Sequence, residues 1–268
     1  AVAGSFYPAE RATLHEALRQ SFRGAVVPDD GAPVPKALVV PHAGYVYSGP
    51  VAASAYLRLA PARTRIRRVV LLGPSHRVPL TGIAVTGADT FATPLGAVRI
   101  DAAGRDLAVA TGKVRIDDAP HRFEHSLEVQ LPFLQVVLDD FELVPLVVGR
   151  TRADDVAEVL HRLWGGPETV VLVSTDLSHY LPDADAREVD RRTADNVVAL
   201  RPDSIASTDA CGAYPLRGLM AELRRRGMSI EELDLRTSAD TAGDPSSVVG
   251  YGAFAAVDAA VGEGETTD

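Results

Sequence analysis

Three apolar runs in this chain end in histidine. Thr169-Val170-Val171-Leu172-Val173 passes into Ser174-Thr175-Asp176-Leu177-Ser178-His179-Tyr180. Ala37-Leu38-Val39-Val40 passes into Pro41-His42-Ala43-Gly44-Tyr45, and Arg68-Val69-Val70-Leu71-Leu72 into Gly73-Pro74-Ser75-His76. Imidazole is the commonest metal ligand and the side chain that moves protons near neutral pH. An unbroken β-branched and aliphatic run predicts a strand buried on both faces, and open α/β sheets hold ligands at the carboxyl ends of such strands. Neighbouring parallel strands would bring His42, His76 and His179 to one edge. Of the seven histidines, these three share that context. One such residue alone is ordinarily a satisfied loop histidine; three together point to a site. No local two-ligand spacing joins them, so a metal here would be assembled from separate strands, as in many non-haem iron and catalytic zinc sites.

Other residues could join this edge. Asp176 lies three positions before His179 and reads as a ligand, as a carboxylate that orients a histidine, or as a helix N-cap. Cys211 is the only thiol. It reads either as a small buried hydrophobe or as a ligand, and a loop-to-helix junction there would lower its pKa. His121-x-x-Glu124-His125 matches a short zinc-protease pattern, with both histidines expected on one face of a helix over 120–131. His125 and Glu128 would share a face and line a substrate pocket, against the alternative of a salt-bridged surface helix. Tyr45, Tyr47, Tyr180, Tyr214 and Tyr251 fall near these turns; an apolar ring with a polar tip suits a pocket wall, although each could be a core tyrosine.

The elements that must position these groups follow from periodicity. Leu14, Leu18 and Phe22 mark a helix over 9–22. Pro50 can open a helix reaching Leu59, whose small residues Ala52 to Ala55 allow close packing on a sheet. Short strands are expected at 82–86 and 97–101, with a turn over 91–96, then a helix over 101–111. Strand 141–148 contains Pro145, which predicts a bulge or an edge. Helices follow at 154–164, 183–200 and 216–226, and strands at 232–238 and 248–257. His15 and His161 fall on helix surfaces. The expectation is one α/β domain over 1–268 with a mostly parallel or mixed central sheet flanked by helices, and a frayed tail over 262–268.

Composition removes some partners. The chain has 268 residues, 46% hydrophobic, enough for a sizeable core. A net charge of -9 argues against a nucleic-acid groove. The arginine clusters at 63–68 and 224–226 read as solvated helix ends. No run of about 18 apolar residues predicts a membrane span. A single cysteine excludes an internal disulfide and suits the cytoplasm. The chain starts at Ala1 without a methionine, so some residues ahead of it are expected to be missing.

Seven ordered motifs carry a resemblance over nearly the whole chain. They are Ala3-Gly4-Ser5-Phe6-Tyr7, Pro41-His42-Ala43-Gly44-Tyr45, Gly73-Pro74-Ser75-His76, Glu124-His125-Ser126-Leu127-Glu128, Ser174-Thr175-Asp176-Leu177-Ser178-His179, Cys211-Gly212 and Ser246-Ser247-Val248. In these the chain resembles the Memo family, whose prokaryotic members are called AmmeMemoRadiSam system protein B. The resemblance implies a fold like that of class III extradiol dioxygenases, which open catechol rings with O2 on non-haem iron. It implies His42, His76 and Cys211 as metal ligands, Asp176 and His179 in the same pocket, and His179 as the acid/base. It implies Fe(II), with copper also claimed for members. Two departures bear on activity: Cys211 stands where the dioxygenases have a carboxylate ligand, and Ala213-Tyr214 stands where the family usually has arginine after Cys-Gly. Arg77, beside His76, is a milder one.

The leading expectation is a mononuclear iron enzyme that uses O2 on a small aromatic or phenolic substrate. A second is a non-catalytic module binding a metal or peptide end and engaging protein partners. A third is a zinc hydrolase built on His121 and His125.

Overall fold

Nearly continuous burial along four short apolar strands sets the architecture. A computed structural model describes residues 1–258. Its first half contains α1 (Arg11–Arg23), β1 (Ala37–Val40), α2 (Tyr45–Tyr56), β2 (Arg68–Pro74), β3 (Ile83–Val85), β4 (Thr90–Thr93), β5 (Gly96–Ile100), α3 (Ala102–Val109) and β6 (Val114–Ile116). Then come α4 (Leu131–Val137), β7 (Glu142–Val148), α5 (Ala153–Leu163), β8 (Thr169–Ser174), β9 (His179–Leu181) and α6 (Asp183–Val198). The last are α7 (Ala213–Arg226), β10 (Met228–Thr237) and β11 (Val248–Asp258).

The main sheet runs β10-β11-β1-β8-β2-β7-β3-β6. Its centre, β1-β8-β2-β7, is parallel. β11 and β10 extend one side antiparallel, and β3 joins β7 antiparallel on the other. Successive side chains of a strand point to opposite faces. Leu38, Val69, Leu71, Val170 and Leu172 accordingly pack beneath α1, α2 and α4. Val39, Val70, Leu72, Val171 and Val173 pack against α5 and α7. Covering both faces is what lets these strands be apolar throughout. The expected α/β fold with a mixed sheet flanked by helices is therefore the observed one.

Several local expectations are corrected. No helix spans 120–131: that segment is a series of turns followed by a short 3₁₀ turn at Glu128–Gln130. The Glu124 carboxylate binds the backbone N–H groups of His125 and Ser126, at 3.0 Å each, and so competes with helical pairing. Pro132 restarts the helix, in the first turn of α4, where its missing N–H is no loss. α2 begins at Tyr45, so Pro50 lies inside it. Residues expected as a turn form the β4–β5 hairpin, and the short β6 went unread. Pro145 sits in a central strand, paired with Leu71 of β2. On the other flank of β7, pairing jumps from Leu143 to Leu146, so no ladder bond is missing there. The tail expected over 262–268 lies outside the described residues.

Candidate metal centre

Because β1, β8 and β2 are adjacent and parallel, their carboxyl ends open on one edge. His42 follows β1, Asp176 and His179 follow β8, and His76 follows β2. The rings of His42 and His76 lie 5.2 Å apart, centroid to centroid. The Glu124–Ser126 turn adds His125, 5.3 Å from His42 and 4.6 Å from His76. One donor atom from each of His42, His76 and His125 lies within 4.8 Å of the other two. Gly73 makes this approach possible. A Cβ there would stand 2.7 Å from Ser126 Oγ and 2.9 Å from Leu127 Cδ2, pushing the turn away from β2.

The hydrogen bonds fix which ring nitrogens face inward. Gln130 Nε2 donates to Pro41 O and to Ser174 Oγ, at 2.9 and 2.8 Å. Ser174 Oγ in turn donates its only proton to Ser126 O at 2.6 Å. It can therefore only accept from His42 Nδ1, 2.9 Å away, which leaves Nε2 with the lone pair. His76 Nδ1 donates to Glu124 Oε1 at 2.8 Å, again freeing Nε2. His179 Nδ1 donates to Leu177 O at 2.8 Å. Burial, followed by the neighbouring His76 and His125, pushes His42 well below the ordinary histidine range. Burial pushes His125 down to about 4, with the charges of His76 and Arg77 adding to it against the pull of Glu124. Burial also lowers His179. These three are neutral at pH 7, as ligands and bases must be.

Glu124 is the residue the sequence reading left out of the site. Burial alone would raise it. Hydrogen bonds from the His76 ring and from the backbone N–H groups of His76 and Ser126 outweigh that and hold it at about 2. A carboxylate behind a ligating imidazole fixes its tautomer and orientation. The Glu-His-Ser string was visible, but a helix there would have turned Glu124 elsewhere. Ser174 and Gln130 also carried no signal of their own.

Asp176 is buried and accepts the His42 backbone N–H at 2.7 Å, so it is not a helix N-cap. Burial raises it to about 7, against the backbone hydrogen bonds from His42 and Ala43. Cys211 Sγ lies 3.2 Å from His42 Nε2 and accepts the Asp176 N–H at 3.3 Å. Gly212 permits this, since a Cβ there would stand 2.6 Å from Thr175 Cβ and 2.8 Å from Ser174 O. The expected lowering of the thiol by a helix N-terminus is overturned. Burial, with the Asp176 charge, pushes Cys211 up to about 12.

These groups floor a cavity of about 1020 Å³, lined also by His179, Phe6, Tyr47, Arg77, Tyr180 and Arg192. Tyr180 stands at its rim, 78% exposed and with φ +60°, an unusual backbone for a bulky residue. Three expected pocket residues point elsewhere. Tyr45 is buried in the core and donates to Val129 O at 2.7 Å. Tyr214 packs against the core on the α5/α7 face, under the Arg217 guanidinium. Glu128 accepts from Tyr7 Oη at 2.7 Å and from the Val2 N–H at 2.9 Å, so it ties down the N-terminal segment. His121 is likewise apart from the three rings, its Nε2 3.2 Å from Ala84 O, and lines a separate cavity.

A sequence model of the Memo-like protein family matches residues 1–255. The chain belongs to the Memo-like family. A MEMO1 family protein of Sulfolobus acidocaldarius is 36% identical, the match covering 94% of this chain and 96% of that one. A MEMO1 family protein of Methanopyrus kandleri is 37% identical, covering 95% and 96%. The solved structure of an uncharacterized Escherichia coli K12 protein, JW3007, shares the fold with a TM-score of 0.54. It is 14% identical, covering 82% of this chain and 98% of that one. The Memo resemblance read from the motifs is thus borne out.

The residues of this Memo-like chain fit a metal ion on their own chemistry. Three imidazoles converge, and two of them turn a lone pair away from engaged Nδ1 atoms. The third, His125, has a buried Nδ1 with no hydrogen-bond partner. Cys211, assigned as a ligand by the resemblance, lies beside this trio against His42, whereas His125, read as a pocket residue, lies within it.

Proposed function

We propose that this Memo-like chain is a mononuclear iron oxidoreductase that uses O2 on a small phenolic substrate. The observation that carries the reading is the convergence of His42, His76 and His125 on the floor of a cavity that also holds His179. These three imidazoles would hold the ion, with the Cys211 sulfur beside His42 as a further donor. Bound iron supplies the redox chemistry that side chains lack. The remaining roles belong to the chain. Glu124 holds the His76 ring, and Ser174 holds the His42 ring. His179 is neutral, with Nδ1 anchored on Leu177 O, so Nε2 is available to take a phenolic proton. Phe6, Tyr47 and Tyr180 supply aromatic walls for a ring. A single cysteine and no membrane-length apolar helix among the described residues are compatible with a cytoplasmic enzyme.

The zinc reading built on His121 and His125 has no helix to support it, and His121 stands apart. The test is anaerobic purification with elemental analysis, then O2 uptake with a panel of catechols. The reading expects iron, substrate-dependent uptake, and a loss of roughly 10²–10⁴-fold in His179→Ala with the metal retained. Zinc with no O2 uptake, or undiminished uptake in His179→Ala, would contradict it. Protein capture without turnover would favour the binding-module alternative.

A further inference from the structure

The cavity above the three histidines carries charge as well as aromatic surface. Arg77 enters it from the loop after β2, and Arg192 from α6. Both side chains are exposed, and neither has a carboxylate partner among the described residues. The contrast on α6 is informative. Arg187 pairs with Asp183 and Asp240, and Arg191 with Asp195 and Glu232, all away from the cavity. Two carboxylates line the cavity as well, and each holds a backbone N–H. Asp176 is buried and holds the His42 N–H, and Asp209 Oδ2 accepts the Ala206 N–H at 2.8 Å. Two guanidinium groups without a carboxylate partner among the described residues thus line the cavity of a chain whose net charge is -9. Arg77 also sits close enough for its charge to act on His125.

We infer that Arg77 and Arg192 form an anion-recognition wall, and that the substrate is an organic acid whose carboxylate docks on them. The guanidinium fork matches a carboxylate in geometry as well as charge. Ser207 and Thr208 line the same cavity, and their hydroxyls can complete the carboxylate's hydrogen bonds. At about 1020 Å³ the space exceeds what a bare catechol fills, leaving room for an acidic arm between ring and wall. The ring, but not the anion, rests on the proposed function.

The experiment separates the two. Binding of 3,4-dihydroxybenzoate and of catechol to the full chain loaded with Fe(II) is measured anaerobically by calorimetry. Binding of benzoate and benzamide to the metal-free chain is followed by NMR. The same is done for Arg77→Gln, Arg192→Gln and the double variant. The expected result is a preference for the acid of about tenfold or more in each pair, falling to near parity in the double variant. Arg77→Lys with Arg192→Lys should retain part of it. Equal binding of acid and neutral probe to the unsubstituted chain, or a preference that survives the double substitution, overturns the inference. If iron fails to bind while benzoate keeps an arginine-dependent preference, the anion wall stands and the metal reading falls.

Discussion

Replacing Glu124 by Gln tests whether a carboxylate organises the site from behind. Glu124 Oε2 accepts the His76 N–H at 2.6 Å. Oε1 accepts the His76 Nδ1–H at 2.8 Å and the N–H groups of His125 and Ser126 at 3.0 Å. Glutamine offers one oxygen. Whichever way the amide lies, its NH₂ faces at least one buried donor, and an unmet buried donor costs roughly 1–3 kcal/mol. The pKa gives a similar magnitude. Holding the carboxyl at about 2 instead of 4.5 is worth roughly 3 kcal/mol. The sign follows from proton binding: the unfolded chain takes up the proton first as pH falls. The stabilisation is therefore full above about 4.5 and is lost as pH falls through about 2. Urea unfolding of the metal-free protein should show Glu124→Gln less stable by about 2–4 kcal/mol at pH 7, the gap shrinking to roughly half by pH 3. Metal affinity, read by calorimetry, should fall about 10–100-fold because His76 loses the partner that fixes its tautomer. A variant that binds metal within twofold of the parent, with the same stability at both pH values, would refute the reasoning.

Cys211→Ser bears on the fourth donor: if the sulfur ligates, the loaded protein shows a sulfur-to-metal charge-transfer band that this variant abolishes, and an unchanged spectrum makes Cys211 only a neighbour. Lys36 donates to Gly166 O and Thr169 O at 2.7 Å each, and burial lowers its ammonium from 10.5 to about 8. Between these values the unfolded chain binds the extra proton, so stability should rise with pH from about 8 to 10.5, and Lys36→Met should flatten that rise; an identical slope in the variant would contradict it.

The strand ends were readable because a parallel strand covered on both faces must be apolar along its length, so the switch to Pro-His, Ser-His or Asp-Leu-Ser-His marks its exit. Adjacency of β1, β8 and β2 then brings His42, Asp176, His179 and His76 together. The backbone that carries Glu124 and His125 was expected as a helix for a local reason. The polar string 120–131 has helical composition, but the Glu124 carboxylate takes the N–H groups of His125 and Ser126 together with the N–H and Nδ1–H of His76, supplied by a distant strand end, and so holds a turn. Tyr45, Tyr214 and Glu128 show what spacing leaves open: proximity in sequence to a site does not fix which way a side chain points. The direction of the Cys211 thiol shift was missed because its helix-terminal position was visible but its burial beside Asp176 was not.

The central claim is that His42, His76 and His125 hold one metal ion. Its most direct test is metal content per chain after anaerobic loading with Fe(II) and gel filtration, for the parent and for His42→Ala, His76→Ala, His125→Ala and His121→Ala, each checked for folding by circular dichroism. The account predicts about one ion per chain in the parent and in His121→Ala, and most of it lost in each of the other three, as for a single mononuclear site. Full retention in folded His125→Ala, with loss in His121→Ala, would contradict it.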